Sequence, residues 1–465
     1  MAAMGRRRDT TPFELTIERL GRKGLGLGEH EGRTWGVRFA PPGAVLEVRP
    51  AGRRRKLRLG RRLRMVTPPP GAVPPRCGQF GRCGGCGLQE LDLATQRAHK
   101  QAQVEAILAP LDGVRVHGIT GTQAAYAYRN KVELTYGTKR YLDDEAFAAG
   151  EPFGGRFLGF HAPERFDRIV DTPRCELISE GLNAVLAAAR EHLATSELEP
   201  WDARNHTGFW RHLVLRETVT GERLVTLYTA PPPAGVDASI QAWADALPDV
   251  SGVVWMVNPG TGDAAVGHRR AVLRGEPWIE ERLGELRFRL SPTSFFQTNT
   301  PGAVVLYDVV AEAAGTGGRL LDLYCGTGTI ALWLAGRFEE AVGIERNEEA
   351  VADARENAAK NGVSRARFVA GPVEDVAEGM SASVVVVDPP RSGLHPRAAR
   401  WLAQLTTAER LVYVACQPRS LERDRQVLEA GGWRMTDLWT VDMFPQTGHT
   451  EAVARFERSA APPQS

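Results

Sequence analysis

The sequence predicts a multidomain protein: a small β-barrel, a central α+β domain and a C-terminal α/β domain with a doubly wound parallel sheet. Three observations support this prediction. Glycine-broken short strands fill the first 65 residues, a mixed segment follows, and strands and helices alternate from Leu320 to Ala415. We expect the domains at residues 9–67, 68–290 and 291–458, followed by a disordered tail at 459–465.

Composition restricts the class of protein. The 465 residues carry 58 Lys and Arg against 56 Asp and Glu, so affinity for nucleic acid must come from local clusters of charge. No apolar run reaches the roughly 18 residues of a membrane span, and the first residues lack a signal peptide's apolar core. A cytoplasmic protein without a membrane partner is therefore expected. Its six cysteines favour metal binding or catalysis over disulfides.

The N-terminal segment is typical of a small, strongly turned β-barrel. Residues 13–65 alternate apolar and polar positions and are broken by turns such as Gly24-Leu-Gly-Leu-Gly28. Eight Lys or Arg and no acidic residue lie between Arg53 and Arg64. Such a run is either a solvated charged face or a contact for nucleic-acid phosphate. A barrel with one basic face resembles the TRAM domain, an RNA-binding module fused to RNA-modifying enzymes.

A cysteine cluster follows a proline-rich linker at residues 68–71. Cys77, Cys83 and Cys86 lie within ten residues that are crowded with glycine, and Cys175 is the candidate for a fourth ligand. Glycines let a short loop wrap a metal centre and offer backbone N–H groups to sulfur. Four thiolates suit an iron–sulfur cluster or a structural zinc, and the spacing does not decide between them.

The central segment contains helical patterns at residues 91–111 and 179–193 among β-like runs. Two clusters mix basic and aromatic residues, one at 126–131 with Arg129 and Lys131, and one at 209–212. These clusters could stack bases and bind phosphate, or they could be core aromatics beside surface charges.

The strand-like run that ends in Asp322-Leu-Tyr-Cys-Gly-Thr-Gly-Thr329 is the main chemical signal. It delivers a carboxylate and two glycines to the start of a helical pattern, which is typical of a nucleoside-cofactor loop. The next apolar run ends in Glu345, placed to accept hydrogen bonds from a ribose diol. Because the third glycine of a dinucleotide fingerprint is absent, S-adenosylmethionine fits better than NAD.

Two further strand ends carry polar groups. Asp388-Pro-Pro places a carboxylate on a stiff loop. Cys416 follows the run 411–415 and precedes a helix that is expected to begin near Ser420, whose N-terminus would favour the thiolate. An isolated cysteine after a strand is more often structural. The last two strands, at 433–440 and 451–456, are expected to form an antiparallel edge.

Together these motifs resemble the RNA 5-methyluridine methyltransferases, and most closely the branch with a TRAM domain and a [4Fe–4S] cluster that acts on 23S ribosomal RNA. The resemblance spans nearly the whole chain. It implies a Rossmann-like class I methyltransferase domain at the C-terminus. The motifs that carry it occur in the family's order: Cys77 to Cys86 with Cys175, Phe295-Phe-Gln-Thr-Asn299, Asp322 to Gly328, Asp388-Pro-Pro-Arg-Ser-Gly393, Cys416-Gln-Pro418 and Phe444 to Glu451.

The resemblance also implies roles for single residues. Cys416 matches the thiolate that adds to C6 of uracil, and Glu451 matches the general base that removes the C5 proton. Phe295 resembles an aromatic that packs on the target uracil, and Asp388 is expected near that base as well. The positions that match contacts to S-adenosylmethionine are Gln297, Tyr324, Thr329, Glu345 and Asp388. Thr329 stands where the family often has Asn.

The motifs also allow other interpretations of the function. A 5-methylcytosine enzyme typically carries a cysteine where this chain has Arg391, and an RNA-binding assembly factor would need neither Cys416 nor Glu451. A redox sensor would need an exposed cluster that cycles between oxidation states.

Transfer RNA, at uridine 54, is the alternative substrate to 23S ribosomal RNA. A target base must leave its stack to reach the thiol. We expect a monomer without an obligate protein partner.

Overall fold

The computed structural model describes residues 11–458, so the tail expected at 459–465 lies outside the described residues. The chain divides into two units. One contains the described residues up to Ala106 together with Phe444–His449, and the other contains Ile107–Met443 together with the residues from Thr450 onward. None of the helices between residues 11 and 458 combines the length and the hydropathy of a membrane-spanning segment.

A six-stranded sheet occupies the N-terminal segment, where a barrel was predicted. Its strand order is β1-β5-β6-β4-β3-β2, with Leu15, Val37 and Leu46 in its core. The Glu18 amide, just before β2, donates to the Leu27 carbonyl of β3 (2.8 Å) and so extends the β2–β3 pairing, and a closed barrel is not confirmed. The strands are β1 (Phe13–Thr16), β2 (Arg19–Leu20), β3 (Gly26–His30), β4 (Arg33–Val37), β5 (Val45–Arg54) and β6 (Leu57–Thr67).

Helix α1 (Leu93–Leu108) is shorter than the predicted 91–111 and stops ahead of Pro110, which has no amide to donate. In the first unit this helix holds the segment 444–449. The buried Lys100 donates to the Phe444 carbonyl (2.9 Å), and the Gln96 side chain exchanges hydrogen bonds with Gln446. The segment leads directly into the strand that begins at Glu451.

The second unit contains a seven-stranded central sheet with the order β11-β10-β9-β12-β13-β14-β15. Its core packs Leu134, Leu186, Leu213 and Trp243 together. The elements up to the next sheet are β7 (Arg115–Val116), β8 (Thr120–Gly121), β9 (Lys131–Lys139), α2 (Asp144–Ala148), β10 (Gly154–His161), β11 (Ile169–Asp171), α3 (Glu180–Thr195), β12 (Trp210–Glu217), β13 (Arg223–Thr229), α4 (Asp237–Asp245), β14 (Gly252–Val257), β15 (His268–Gly275) and the hairpin β16 (Ile279–Leu283) and β17 (Leu286–Leu290).

A nine-stranded sheet forms the C-terminal part, with the order β20-β19-β18-β21-β22-β24-β23-β7 and β8 also paired with β23. Its elements are α5 (Thr300–Ala314), β18 (Gly317–Leu323), α6 (Thr329–Leu334), β19 (Phe338–Glu345), α7 (Glu348–Lys360), β20 (Ala366–Ala370), α8 (Val373–Val376), β21 (Val384–Val387), α9 (Pro396–Gln404), β22 (Arg410–Ala415), α10 (Pro418–Ala430), β23 (Trp433–Asp442) and β24 (Glu451–Arg458).

This sheet confirms the predicted doubly wound α/β fold. Strands β18 to β22 are parallel, and β24 and β23 form the antiparallel edge. The two short strands β7 and β8, from a stretch predicted to belong to the central domain, extend the sheet in parallel with β23. The order reverses between β18 and β21, so their carboxyl ends open a crevice at the topological switch point.

Candidate active site

The loop after β18 lines the switch point. Tyr324 adopts a positive φ of 66°, which is costly for a side chain larger than glycine, and Gly326 and Gly328 follow with φ of 54° and 83°. A Cβ on Gly328 would lie 2.7 Å from the Phe368 ring, whereas Gly326 faces open space. The Asp388 amide donates to the Leu323 carbonyl (3.3 Å), which joins this loop to the end of β21.

Glu345 cross-links the glycine loop to the end of β19. One carboxylate oxygen accepts the Gly326 amide (3.2 Å) and the other accepts the Asn347 amide (2.8 Å). Each oxygen keeps a second lone pair that could accept a hydroxyl. The partly buried carboxylate therefore fits the predicted ribose contact and also rigidifies the loop.

Two buried side chains, Asp322 and Tyr307, make hydrogen bonds to the first turn of α6, which follows the loop. Asp322 accepts the Ala331 amide at Oδ2 (2.9 Å), but its Oδ1 is buried without a hydrogen-bond partner, and burial raises the pKa of the carboxyl group. The Thr329 hydroxyl lies 3.1 Å from the hydroxyl of Tyr307 on α5. Thr329, predicted to contact the cofactor, is thus positioned by a hydrogen bond with Tyr307, and Tyr307 was not predicted from the sequence as part of the site. An orphaned acceptor beside an open glycine loop is a feature that a polar ligand such as S-adenosylmethionine would complete.

The pairing of strand β22 with strand β24 places Cys416 opposite Glu451. Antiparallel β22 and β24 pair Ala415 with Ala452, so the next position on β22 places Cys416 opposite Glu451. Directly opposed residues have Cβ atoms about 5 Å apart. Glu451 is only 4% exposed, and Cys416 is partly buried. The predicted nucleophile and base therefore meet at the end of the parallel sheet.

The environment of Cys416 does not favour a thiolate, contrary to the expectation from the helix. Burial raises the pKa of the thiol to about 11, the Glu451 and Asp388 carboxyl groups add to the rise, and the Arg391 guanidinium opposes it. Helix α10 begins at Pro418, two residues after the thiol, but burial and two neighbouring acids are the causes that raise the pKa of Cys416.

The two carboxyl groups near the thiol hold protons tightly. Burial raises the pKa of Asp388 to about 7. Burial, and then the charge of Asp388, raise the pKa of Glu451 well above its usual range, against the influence of Arg391. A carboxylate with an elevated pKa is the stronger base, which suits removal of an activated carbon-bound proton.

Replacing Asp388 with asparagine should make the Cys416 thiol more acidic. Above about pH 7 Asp388 is ionised and disfavours a neighbouring thiolate, so its removal shifts the alkylation profile of Cys416 toward lower pH. We expect iodoacetamide to label Cys416 in Asp388→Asn roughly two- to tenfold faster at about pH 8 than in the wild type. Peptide mass spectrometry measures the rate, and Asp375→Asn on α8 is the matched control. An unchanged profile would remove Asp388 from the surroundings of the thiol.

A hydrogen-bonded network holds the loop 291–299, which carries Phe295 and Gln297. The Asn130 side-chain amide donates to the Gln297 carbonyl (2.9 Å) and to the Thr300 hydroxyl (2.8 Å), which in turn donates to Glu281 (2.6 Å). Phe295 is 70% exposed, available to pack on an incoming ring. The buried Arg216 anchors the same loop through a different residue.

Arg216, 3% exposed, donates to the Ser294 carbonyl (2.7 Å). The support that Asn130, Arg216 and Glu281 give to this loop was not predicted from the sequence. Only Asn130 gave a signal, because it lies inside the cluster 126–131.

Lys131 and Arg129 flank Asn130. Strand register places Lys131 opposite Arg216, and burial followed by the charge of Arg216 lowers the pKa of the Lys131 ammonium. The carboxylate of Glu133 acts on Lys131 and that of Glu281 on Arg216, and both offset the repulsion between the two cations. The Nε of Arg129 is buried without a hydrogen-bond partner.

The cysteine cluster lies in the first unit. The Gln79 and Gly85 amides approach the sulfurs of Cys77 and Cys83, each at 3.4 Å, as the resemblance to a thiolate-bound centre predicts. Cys175 precedes α3 in the second unit. Across residues 11–458, however, no three His, Cys, Asp or Glu side chains are grouped so that they could hold a metal ion. The described side chains therefore do not by themselves form the predicted [4Fe–4S] site.

Comparison with known proteins identifies the family. The model of the tRNA (Uracil-5-)-methyltransferase family matches residues 270–459. An uncharacterized RNA methyltransferase of Chlorobaculum tepidum is 36% identical over 86% of both chains. One of Clostridium acetobutylicum is 33% identical over 96% of this chain and 97% of its own.

A solved structure agrees over the whole length. The Pyrococcus abyssi tRNA (uracil-54, C5)-methyltransferase in complex with S-adenosyl-L-homocysteine has a TM-score of 0.75 and 28% identity, covering 96% of this chain and 100% of that one. The fold and site thus define an RNA methyltransferase that depends on S-adenosylmethionine, as predicted. More specifically, the chain belongs to the tRNA (uracil-5-)-methyltransferase family.

Proposed function

We propose that this protein methylates C5 of a uracil in RNA through a covalent adduct between Cys416 and C6 of the base. The observation that carries this proposal is the register of β22 and β24, which opposes Cys416 and Glu451 beside the nucleoside-cofactor loop. Uracil C5 is a poor nucleophile, and a thiolate that adds to C6 turns it into an enolate carbon. S-adenosylmethionine supplies the methyl group.

Cys416 and Glu451 act in successive steps of the proposed reaction. Cys416 forms the sulfur–C6 bond, and after C5 has gained the methyl group Glu451 removes the C5 proton. The electrons of that C–H bond then expel the Cys416 sulfur, which restores the ring and the free enzyme. Since burial raises the pKa of the resting thiol to about 11, a proton must leave Cys416 during attack, and the Asp388 carboxylate, with its pKa raised to about 7, is the candidate acceptor.

The surroundings fit an RNA base and a nucleoside cofactor. Tyr324, Glu345 and Asp388 lie around the crevice, with the Gln297 side chain on the loop before α5 and Thr329 at the start of α6. We assign S-adenosylmethionine to these five residues. We assign to Phe295 the packing on the target uracil, and to Arg129 and Lys131 the contact with RNA phosphate.

Two RNA classes are candidates. The resemblance to the branch with a TRAM domain points to 23S ribosomal RNA, and the basic β5–β6 hairpin supports an RNA contact by the first unit. In that hairpin Arg53 lies opposite Arg58, and Arg49 opposite Arg61. Transfer RNA is the second candidate, because the similar Pyrococcus abyssi protein is a tRNA (uracil-54, C5)-methyltransferase.

Nucleoside mapping by mass spectrometry tests the proposed function. Ribosomal and transfer RNA from cells with and without the gene would be separated, digested and compared for 5-methyluridine. Loss of a 23S position supports the ribosomal assignment, whereas loss only from transfer RNA keeps the reaction and replaces the substrate. Unchanged 5-methyluridine in both pools would contradict the proposed function.

We also propose that the loop with Cys77, Cys83 and Cys86 supplies thiolates to a [4Fe–4S] cluster. The two amides directed at the sulfurs of Cys77 and Cys83 support it. Protein purified without oxygen is expected to contain about four iron atoms and as much acid-labile sulfide per chain, and Cys83→Ser to lose most of both. Cys325→Ser, at a buried cysteine outside the cluster, is the control. Stoichiometric zinc, or no metal at all, would refute the cluster.

A further inference from the structure

Asp424, a buried acidic residue on α10, lies outside the set of residues assigned to the proposed reaction. It is 3% exposed and stands in the second turn of the helix that follows Cys416. A buried charge is costly unless it is paired and hydrogen-bonded. The partners of this carboxylate therefore indicate which parts of the structure it holds together.

Asp424 joins three segments of the second unit. Its Oδ2 accepts hydrogen bonds from the Leu394 amide (2.7 Å) and the Tyr413 hydroxyl (2.8 Å). Its Oδ1 accepts hydrogen bonds from Nε (2.8 Å) and Nη2 (2.5 Å) of Arg423. Leu394 belongs to the loop that begins at Asp388, and Tyr413 lies on β22, the strand that leads to the nucleophile. The carboxylate thus connects the helix after the nucleophile with both the strand before it and the neighbouring loop.

Arg423 holds the same loop through a backbone carbonyl. Its Nη2 donates to the carbonyl of Ser392 (2.8 Å). The next residue, Gly393, has a φ of 83°, and a Cβ there would lie 2.5 Å from Oδ2 of Asp424, so the close approach of loop and helix requires glycine. The Gly393 amide donates to the Pro390 carbonyl (2.7 Å), which closes a turn in the loop.

Arg391 lies inside this turn. Burial, followed by the Glu451 and Asp388 carboxyl groups, raises the pKa of the Cys416 thiol, and the Arg391 guanidinium lowers it. Of the described charged groups that act on the thiol, Arg391 is therefore the one that favours the thiolate. Its effect depends on where the turn is held.

We propose that Asp424, together with Arg423, is a positioning residue that keeps Arg391 beside the Cys416 thiol. The inference rests on the proposed function, which makes Cys416 the nucleophile. Asp424 acts through the loop, because it fixes the far end of the turn to the helix that begins two residues after the nucleophile. A displacement of about 1 Å in a catalytic group can cost about 10²-fold in rate.

The pH profile of Cys416 alkylation tests the inference in the full-length protein. Asp424→Asn keeps the size of the side chain and removes the charge that binds Arg423, and Arg423→Gln weakens the hold on the loop at a side chain that is 55% exposed. In both variants we expect iodoacetamide to label Cys416 roughly two- to tenfold more slowly at about pH 8, with the profile moved toward higher pH, because the thiolate loses a nearby cation. Methyl transfer with saturating substrates should also slow by up to about 10²-fold.

Glu422→Gln, an acid-to-amide change on the same helix, is the matched control. Glu422 accepts a hydrogen bond from Gln426 (2.7 Å) and should leave the labelling of Cys416 at the wild-type rate. A cooperative thermal unfolding transition above the assay temperature reports that each variant folds.

An unchanged profile in both Asp424→Asn and Arg423→Gln would overturn the inference. Faster labelling would overturn it as well, since a loop that only loosens exposes the thiol and removes no favourable charge. Labelling needs neither RNA nor methyl transfer, so failure of the proposed reaction would be recognised separately.

Discussion

Replacing Cys416 with alanine is expected to abolish methyl transfer while leaving RNA binding largely intact. The thiol is the only sulfur opposite Glu451 in the β22–β24 register, and without it C5 of uracil is never activated. Loss of a nucleophile that acts together with a base costs at least about 10⁴-fold in rate. Single-turnover transfer of labelled methyl groups and a parallel RNA-binding titration measure both quantities.

Cys416→Ser provides the matched comparison. The hydroxyl keeps the size and hydrogen bonding of the thiol but is a far weaker nucleophile at neutral pH. We therefore expect it to be as inactive as the alanine variant, with a normal affinity for S-adenosylmethionine. Turnover by either variant near the wild-type rate would remove Cys416 from the mechanism.

Replacing Glu451 with glutamine is expected to trap the covalent adduct. Glutamine cannot accept the C5 proton, so the methylated base stays bound to the sulfur of Cys416 and product release falls by at least about 10²-fold. Denaturing electrophoresis should show a protein–RNA species that survives denaturation. Mass spectrometry should find the mass of a nucleotide on the peptide that contains Cys416.

Glu457→Gln, the same substitution farther along β24, is the control and should release product normally. That residue lies near the end of the strand and pairs with Arg455, away from Cys416. If Glu451→Gln also releases methylated RNA at the wild-type rate, Glu451 is not the base. The buried Asp388 carboxyl, with its pKa near 7, would then be the next candidate.

Local patterns in the sequence were sufficient to predict the α/β fold and to select most candidate residues of the site. An apolar run that stops at a polar residue marks the carboxyl end of a parallel strand, which is why Asp322, Glu345 and Asp388 could be assigned to one edge of the sheet. The helix begun by Ser179 was also predictable, because the Ser179 hydroxyl accepts the Leu182 amide as an N-cap.

Features that depend on distant contacts were not predictable. The opposition of Cys416 and Glu451 follows from antiparallel register, which no local pattern encodes, and was inferred only from family resemblance. The two-residue strands β7 and β8 are too short to show an alternating pattern. The pKa of Cys416 was predicted in the wrong direction, because burial and two carboxyl groups act from other strands.

Release of tritium from RNA labelled at C5 of uridine tests the central claim most directly. Methylation through a C6 adduct must expel the C5 hydrogen, and the purified protein would be incubated with [5-³H]uridine RNA and S-adenosylmethionine. We expect tritium release to match methyl incorporation and to require Cys416. Methyl incorporation without tritium release would contradict the proposed site of methylation.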